Sequence, residues 1–424
     1  MGLDFVTSVS DQEVSRRSTY AASASQRERD DETVQSSEVR SLNRKRRAAS
    51  PSTRDTVIFI SHTVLFGGST KSLQSLLQNI GAGVRRVLVT PSGGPVVSQL
   101  SADGSVDEVV TSPWLLQEST PRSVLAWIIT VARTAMRLRH RLAAIHANGV
   151  PDVTYAALAA VVTGAPLVVW AHDDDPSQRR SRHVARPISR SLRRIRWVTV
   201  SGAAADMLAA AGVVERERIE VIPNPIEQSV ARLDRSDPAG TVRIGFLGTD
   251  STRKGFDLLP EIVAGLDRPN ARLLVFARHH DDVGPEMQRA WEALQANPQV
   301  EHRGRQTDVA LAYRDCDIVL CPSRIESFCR VAAEAMMNGI TVVAADLPAI
   351  REVIGDSGAG SLFPPGDVGA AVRALQRMVD EEPARVALGA AGRYRAHTFD
   401  PEGVARSFRS LYGLSVAPSD LGSG

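Results

Sequence analysis

DIVLCPSRIESFCRVAAEAMMNG, residues 317–339, decides the fold. DIVLCP is a short β-branched, apolar run that reads as a buried strand, and VAAEAMMNG reads as a helix closed by Gly339. Between them lies a loop at the strand's carboxyl end. That loop carries Glu326, and Glu334 follows eight positions later, inside the helix.

Strand, loop and helix repeat in both directions from this point. TVIFIS, RRVLVT, VDEVVT, LAAIHAN, PLVVWAH and WVTVS read as strands before it, separated by Ala/Leu-rich helices. VRIGFLG, ARLLVFA, VEHRG, TVVAAD and GSLF continue the pattern in the second half. Alternation of this kind predicts an α/β fold with doubly wound parallel sheets. NPIEQSVARLDRSDPAG (224–240) has two prolines and no apolar period, and so predicts a linker. Two Rossmann-like domains facing a cleft are expected, over 55–223 and 241–398. Residues 399–413 are expected to be a separate closing segment, and 414–424 a flexible tail. Residues 1–54, rich in Ser, Arg, Glu and Asp, predict a disordered tail.

Composition bounds the function. The chain has 424 residues, a formal charge of +2, 43% hydrophobic and 23% charged residues. Near-balanced charge gives no case for nucleic acid. The longest apolar run, 156–171, is broken by Thr163, Gly164 and Pro166, so no spanning helix is expected, and no apolar leader opens the chain. Cys316, Cys321 and Cys329 are not spaced as zinc ligands and suit a reducing cytoplasm. Only three of the 50 basic residues are lysines, Lys45, Lys71 and Lys254, which directs attention to each of them.

Eight residues of helix span about 12 Å. That is comparable to the distance from the sugar to the ribose of a nucleoside diphosphate-sugar, whose pyrophosphate could rest on helix amides at Phe328, Cys329 and Arg330. For an isolated E-x7-E the favoured reading is Glu326 as a partner of the helix dipole and Glu334 as a solvent-facing residue; the surrounding sequence shifts that balance.

PSRIESFCRVAAEAMMNG, continued by ITVVAADLPAIREVIGDSGAGSLFPPGD, resembles the E-x7-E segment of the family 4 retaining glycosyltransferases of the GT-B fold, over almost all of 56–413. The resemblance implies that Glu326, Ser327, Phe328, Cys329, Arg330 and Glu334 serve the donor. Cys329 stands where the family usually carries Gly. In FLGTDSTRKGFDLL (246–259), Arg253 and Lys254 offer a planar fork and a compact charge to two phosphates, and the resemblance assigns them to the departing nucleoside diphosphate. Thr249 replaces an Arg of many relatives.

SHTVLFGGSTKSLQSLL follows the first strand. It fails the Walker pattern, and by resemblance Gly67 and Gly68 lie against donor phosphates and acceptor, with Lys71 nearby. His172 in VVWAHDDD is placed by resemblance near the transferred sugar. The D-x-D of Asp173 and Asp175 lacks the single-sheet context of a metal-binding nucleotide-sugar fold, so no metal and no cofactor are expected. His146 and Asn148 are weaker candidates on the acceptor side. VIPNPIE is expected to form a hinge with Asn224 near the cleft, and resemblance puts the base pocket around Arg278 and Gly304–Arg305 and implies that 399–413 is a helix crossing back onto the first domain.

The expected activity is transfer of a sugar from a UDP- or GDP-sugar to an acceptor hydroxyl with retention, in surface polysaccharide or glycolipid assembly. Partners are the nucleotide-sugar and a saccharide or lipid-linked acceptor. Arginine fills eight of the eighteen positions 179–196, which fits peripheral contact with anionic membrane and ordinary solvated helices equally well. A non-catalytic sugar-nucleotide binder and a GT-B epimerase are the alternatives. A dinucleotide oxidoreductase is disfavoured, because no strand leads into G-x-G-x-x-G.

Overall fold

The computed structural model describes residues 55–414 except 64–66, 92–94, 113–120, 173–178, 193, 229–239, 279–283 and 307. The expected N-terminal tail, most of the linker, the acidic run 173–175 and residues 415–424 lie outside the described residues.

The first sheet is formed by β1 (Asp55–Ile60), β2 (Val84–Pro91), β3 (Glu108–Ser112), β4 (Leu142–Ala147), β5 (Leu167–Ala171), β6 (Ile195–Thr199) and β7 (Ile219–Val221). The second is formed by β8 (Val242–Leu247), β9 (Ala271–Phe276), β10 (Val300–His302), β11 (Ile318–Cys321), β12 (Thr341–Ala345) and β13 (Ser361–Phe363). Their spatial orders are β3-β2-β1-β4-β5-β6-β7 and β10-β9-β8-β11-β12-β13. Every strand pairing among the described residues is parallel. Helices cover both faces of such sheets, so central strands are apolar throughout: all five residues of β5 and of β12 are buried. Strand β7 was not anticipated. It has three residues, two of them exposed, too few to display an alternation at a sheet edge.

Strand order reverses between β1 and β4 in one lobe and between β8 and β11 in the other. Ligands of open α/β sheets bind beyond the carboxyl ends of strands at such reversals. Four loops therefore matter: those after β1, β4, β8 and β11.

The closing helix, Pro401–Leu411, returns to the first lobe and packs on the helix Gly68–Asn79. Phe408 sets its ring 4.6 Å from that of Trp170 and 5.5 Å from that of His146. Arg409 donates to the Ile80 carbonyl at 2.8 Å. Gly81, at φ 94°, leaves room for that guanidinium, which a Cβ would approach to 2.7 Å. A single apolar cluster then runs through both lobes, from Leu76 through Phe328 and Phe399 to Phe408.

Candidate functional site

Beyond β8 the chain makes two short 3-10 turns, Thr252–Lys254 and Phe256–Leu258, separated by Gly255. Gly255 has φ 71°, and a Cβ there would lie 2.1 Å from the Pro322 carbonyl oxygen. Glycine alone lets this turn sit against the end of β11. Lys254 thereby reaches across, its Nζ 2.6 Å from Glu326 Oε1, and Ser323 Oγ donates to the same oxygen at 2.8 Å. Both side chains are largely enclosed, 19% exposed for Lys254 and 6% for Glu326. Burial opposes the ammonium charge, but Glu326 and then Cys329 outweigh it and raise the Lys254 pKa. Arg253, beside it, is exposed.

The helix after β11 spans Arg330–Met337, starting one residue before the VAAEAMMNG stretch, with Cys329 at its N-cap. Cys329 has φ 67° and ψ 67°, a left-handed conformation that costs an L-residue about 1 kcal/mol and that glycine adopts freely. This accounts for the glycine that resembling sequences carry here. Phe328 turns its ring away from the cleft and against Phe399, with centroids 5.3 Å apart. The Ser327 carbonyl accepts a hydrogen bond from Ser201 Oγ of the first lobe at 2.5 Å.

Glu334 is enclosed rather than solvent-facing. Tyr313 donates to its Oε2 at 2.7 Å, and Arg330 Nε and Nη2 donate to Oε1 at 3.1 and 2.9 Å. Burial raises the pKa of this carboxyl, yet the charges of Arg330 and Lys71 and the hydrogen bonds from Tyr313 and Arg330 bring it below the ordinary value. Lys71 lies on the first-lobe helix, and burial lowers its pKa despite the attraction of Glu334. Arg330 also spans the lobes: Nη1 donates to Ser72 Oγ at 2.7 Å and to the Pro225 carbonyl at 3.1 Å. Ser72 in turn donates to Asn224 Oδ1 at 2.7 Å. A Cβ on Gly68 would meet Arg330 Cδ at 3.4 Å, whereas nothing stands within 4 Å of one on Gly67.

His172 is 8% exposed, and its Nε2 lies 2.9 Å from Asn148 Oδ1. Burial holds its pKa down to about 3, so the ring is neutral. His146 is placed differently. It is fully buried among Phe59, Trp170, Phe408 and Tyr412, with Nδ1 2.7 Å from Tyr412 Oη, and so belongs to the core. Arg278 and Arg305 are exposed beyond the ends of β9 and β10. Sequence inspection missed two residues, His62 beyond β1 and Asp152 beyond β4, whose side chains meet at 2.9 Å. The only sequence signal was a histidine directly after a strand.

The structure thus groups Lys254, Glu326, Ser323 and Cys329 at one end of the second-lobe site. Arg330, Glu334, Tyr313, Gly68 and Ser72 meet at the other. Among the described residues no cluster of His, Cys, Asp or Glu is arranged to hold a metal ion. A cavity of about 810 Å³ lined by Arg194, Trp197 and Glu217 lies at the amino ends of β5 and β6, away from these loops and on the wrong end of the sheet for a donor site.

Two family models match side by side, "Glycosyltransferase Family 4" over residues 66–230 and "Glycosyl transferases group 1" over residues 235–395. The chain belongs to the family 4 glycosyltransferases of the GT-B fold. Among curated members of this family, it is 33% identical to the phosphatidyl-myo-inositol mannosyltransferase of Mycobacterium leprae over 184 residues, 41% of this chain and 48% of that one. It is 26% identical to the D-inositol 3-phosphate glycosyltransferase of Stackebrandtia nassauensis over 243 residues, 52% and 54% of the two chains. The match spans about half the length of these relatives. Anabaena HepE in complex with UDP and glucose superposes with a TM-score of 0.72 at 18% identity, covering 85% of this chain and all of that one (100%). Sucrose-phosphate synthase from Thermosynechococcus elongatus gives 0.64 at 18% identity, covering 85% and 98%. At these identities the likeness to solved GT-B proteins concerns the fold.

Proposed function

We propose that this family 4 protein is a retaining glycosyltransferase that moves a sugar from a UDP- or GDP-sugar to an acceptor hydroxyl. The observation that carries the proposal is the Lys254–Glu326 pair at 2.6 Å, at the carboxyl end of β11, with Glu334 further along the adjoining helix. Glu326 faces the sugar hydroxyls and Glu334 the ribose end. Lys254 and the exposed Arg253 receive the charge that grows on the departing diphosphate. The leaving phosphate takes the acceptor's proton on the face it leaves, so no carboxylate nucleophile and no metal are invoked. His172, neutral and held by Asn148, lies on the sugar side, and Gly67 and Gly68 let the first lobe approach the donor. Ser327 and Cys329 act through the backbone, and Arg305 belongs to the base side.

The acceptor is proposed to be a saccharide or a lipid-linked glycan precursor, met at the cytoplasmic membrane face. Curated relatives named for phosphatidyl-myo-inositol and inositol phosphate support this. So does the surface of the first lobe. The helices Pro121–Leu138, Val153–Thr163 and Arg179–Ser191 pack together and contain no acidic residue. They expose Leu125 (57%), Val161 (62%) and Val184 (42%), and also Arg133 and Arg186. Exposed apolar side chains and arginines on one group of acid-free helices suit an anionic lipid interface.

Incubation with UDP-glucose and GDP-mannose is expected to release the corresponding nucleoside diphosphate slowly, and UDP or GDP is expected to raise the melting temperature. A melting shift without release would mark a non-catalytic binder, and isomerised sugar without acceptor an epimerase. The absence of both shift and release would overturn the assignment.

A further inference from the structure

His62 follows β1 and Asp152 precedes the helix Val153–Thr163, so both sit at the reversal point of the first sheet. An aspartate at a helix N-cap ordinarily accepts a bond from a first-turn amide. Asp152 makes no such bond. Its Oδ1 accepts the His62 backbone N–H at 3.0 Å and lies 2.9 Å from His62 Nδ1. The carboxylate is fully buried and its Oδ2 has no partner among the described residues, whereas the His62 side chain is 34% exposed. A carboxylate placed in this way fixes the Nδ1–H tautomer and leaves the Nε2 lone pair on the opposite edge of the ring. The dyad shares one loop with the sugar side of the site. A Cβ on Gly149 would come within 3.9 Å of His62 Cε1, and Asn148, the preceding residue, holds His172.

We propose that His62 is a catalytic residue on the acceptor side: its Nε2 accepts a hydrogen bond from the attacking hydroxyl, and Asp152 orients the ring for that contact. This role rests on the transferase assignment above. In the ground state the hydroxyl's one proton is held by His62 Nε2, which turns the oxygen lone pair toward the anomeric carbon; as the new C–O bond forms and the bond from that carbon to the diphosphate oxygen breaks, the proton leaves this hydrogen bond for the departing phosphate. The charge of Asp152 raises the His62 pKa against the effect of burial. Asp152 is the ionisable group that faces the ring, and Tyr155 on the following helix faces Asp152 in turn. The neutral imidazole is the competent form, so turnover rises with pH as His62 deprotonates.

The test follows nucleoside diphosphate release from UDP-glucose and GDP-mannose, with phosphatidylinositol vesicles or D-inositol 3-phosphate as probe acceptors and water always present as a third. His62→Ala is expected to lower the release rate about tenfold or more, with the melting shift caused by UDP or GDP unchanged. Asp152→Asn, which preserves shape, is expected to lower the rate and move the acidic inflection of the pH–rate profile to lower pH. Imidazole NMR titration should show the same displacement for His62. An unaltered rate in His62→Ala, or an unmoved inflection in Asp152→Asn, overturns the dyad's role. No release by the unaltered protein overturns the transferase assignment, and this role falls with it.

Discussion

The carboxylate of Glu352, on the second-lobe helix Pro348–Ile354, accepts the backbone amide of Gly202 at 2.7 Å, at the N-terminus of the first-lobe helix Gly202–Ala210. It also accepts the Ala203 amide at 2.6 Å. An anion from one lobe thus caps a helix of the other, where two orphan amides and the helix dipole favour it. Glu352→Ala is expected to lower stability by about 1 kcal/mol, read as a lower urea midpoint at unchanged slope.

Lys254 and Glu326 are enclosed together, so removing one leaves the other without its counter-charge. Lys254→Ala should reduce nucleoside diphosphate release about 10²-fold, the scale of losing one donor to a developing oxyanion. Because the Lys254 pKa is raised, the stabilisation from this pair is complete below the ordinary lysine range and is lost only as pH rises through the folded value. A urea midpoint that stays constant from pH 7 to 9 and falls in stronger alkali would bear this out.

Two histidines set the acid limit. His146 and His172 are kept neutral by burial down to about pH 3, against an ordinary value of 6.5. The unfolded chain therefore binds protons that the folded one refuses, and stability declines as pH falls below 6.5. The loss reaches about 1.4 kcal/mol per pH unit for each such group. Glu334 acts only lower down, because its pKa lies below the ordinary value and its contribution is lost as pH falls through that lower value. Urea midpoints between pH 7 and 4 should already slope, and His172→Gln should flatten the slope.

Cys329 sits left-handed at φ 67°, buried beneath the helix start. A β-branched residue tolerates this backbone poorly. Cys329→Val is expected to cost about 2 kcal/mol or more, whereas Cys329→Gly, which exchanges a small buried side chain for relief of strain, should stay within about 1 kcal/mol of the parent. Thermal unfolding of the two variants measures the difference.

For the proposed lipid-facing surface, Val161→Asp places a carboxylate on an exposed position of an acid-free helix. Co-sedimentation with phosphatidylglycerol vesicles should fall about tenfold, with melting temperature unchanged, since Val161 is 62% exposed.

Much of this architecture was legible because buried parallel strands are written as short uninterrupted apolar runs, as VVWA and VVAA show. Glu326 and Glu334 were singled out through the family segment that surrounds them, and Lys254 because lysine is otherwise so scarce; the structure encloses the two glutamates with Lys254 and Arg330 respectively. Strand β7 was not, since three residues at an edge carry no period. Phe328 and His146 sat at plausible positions in the chain, but their rings turn into the core through contacts with Phe399 and Tyr412, far away in sequence. The His62–Asp152 contact joins positions 90 residues apart, which no local pattern can reveal.

The helix Pro401–Leu411 has a consequence for biosynthesis. Trp170 and His146, made early, keep an uncovered flank until Phe408 and Tyr412 arrive. The lobe that leaves the ribosome first is therefore sealed last, and its half-finished interior is what a chaperone would meet during the translation of more than two hundred intervening codons.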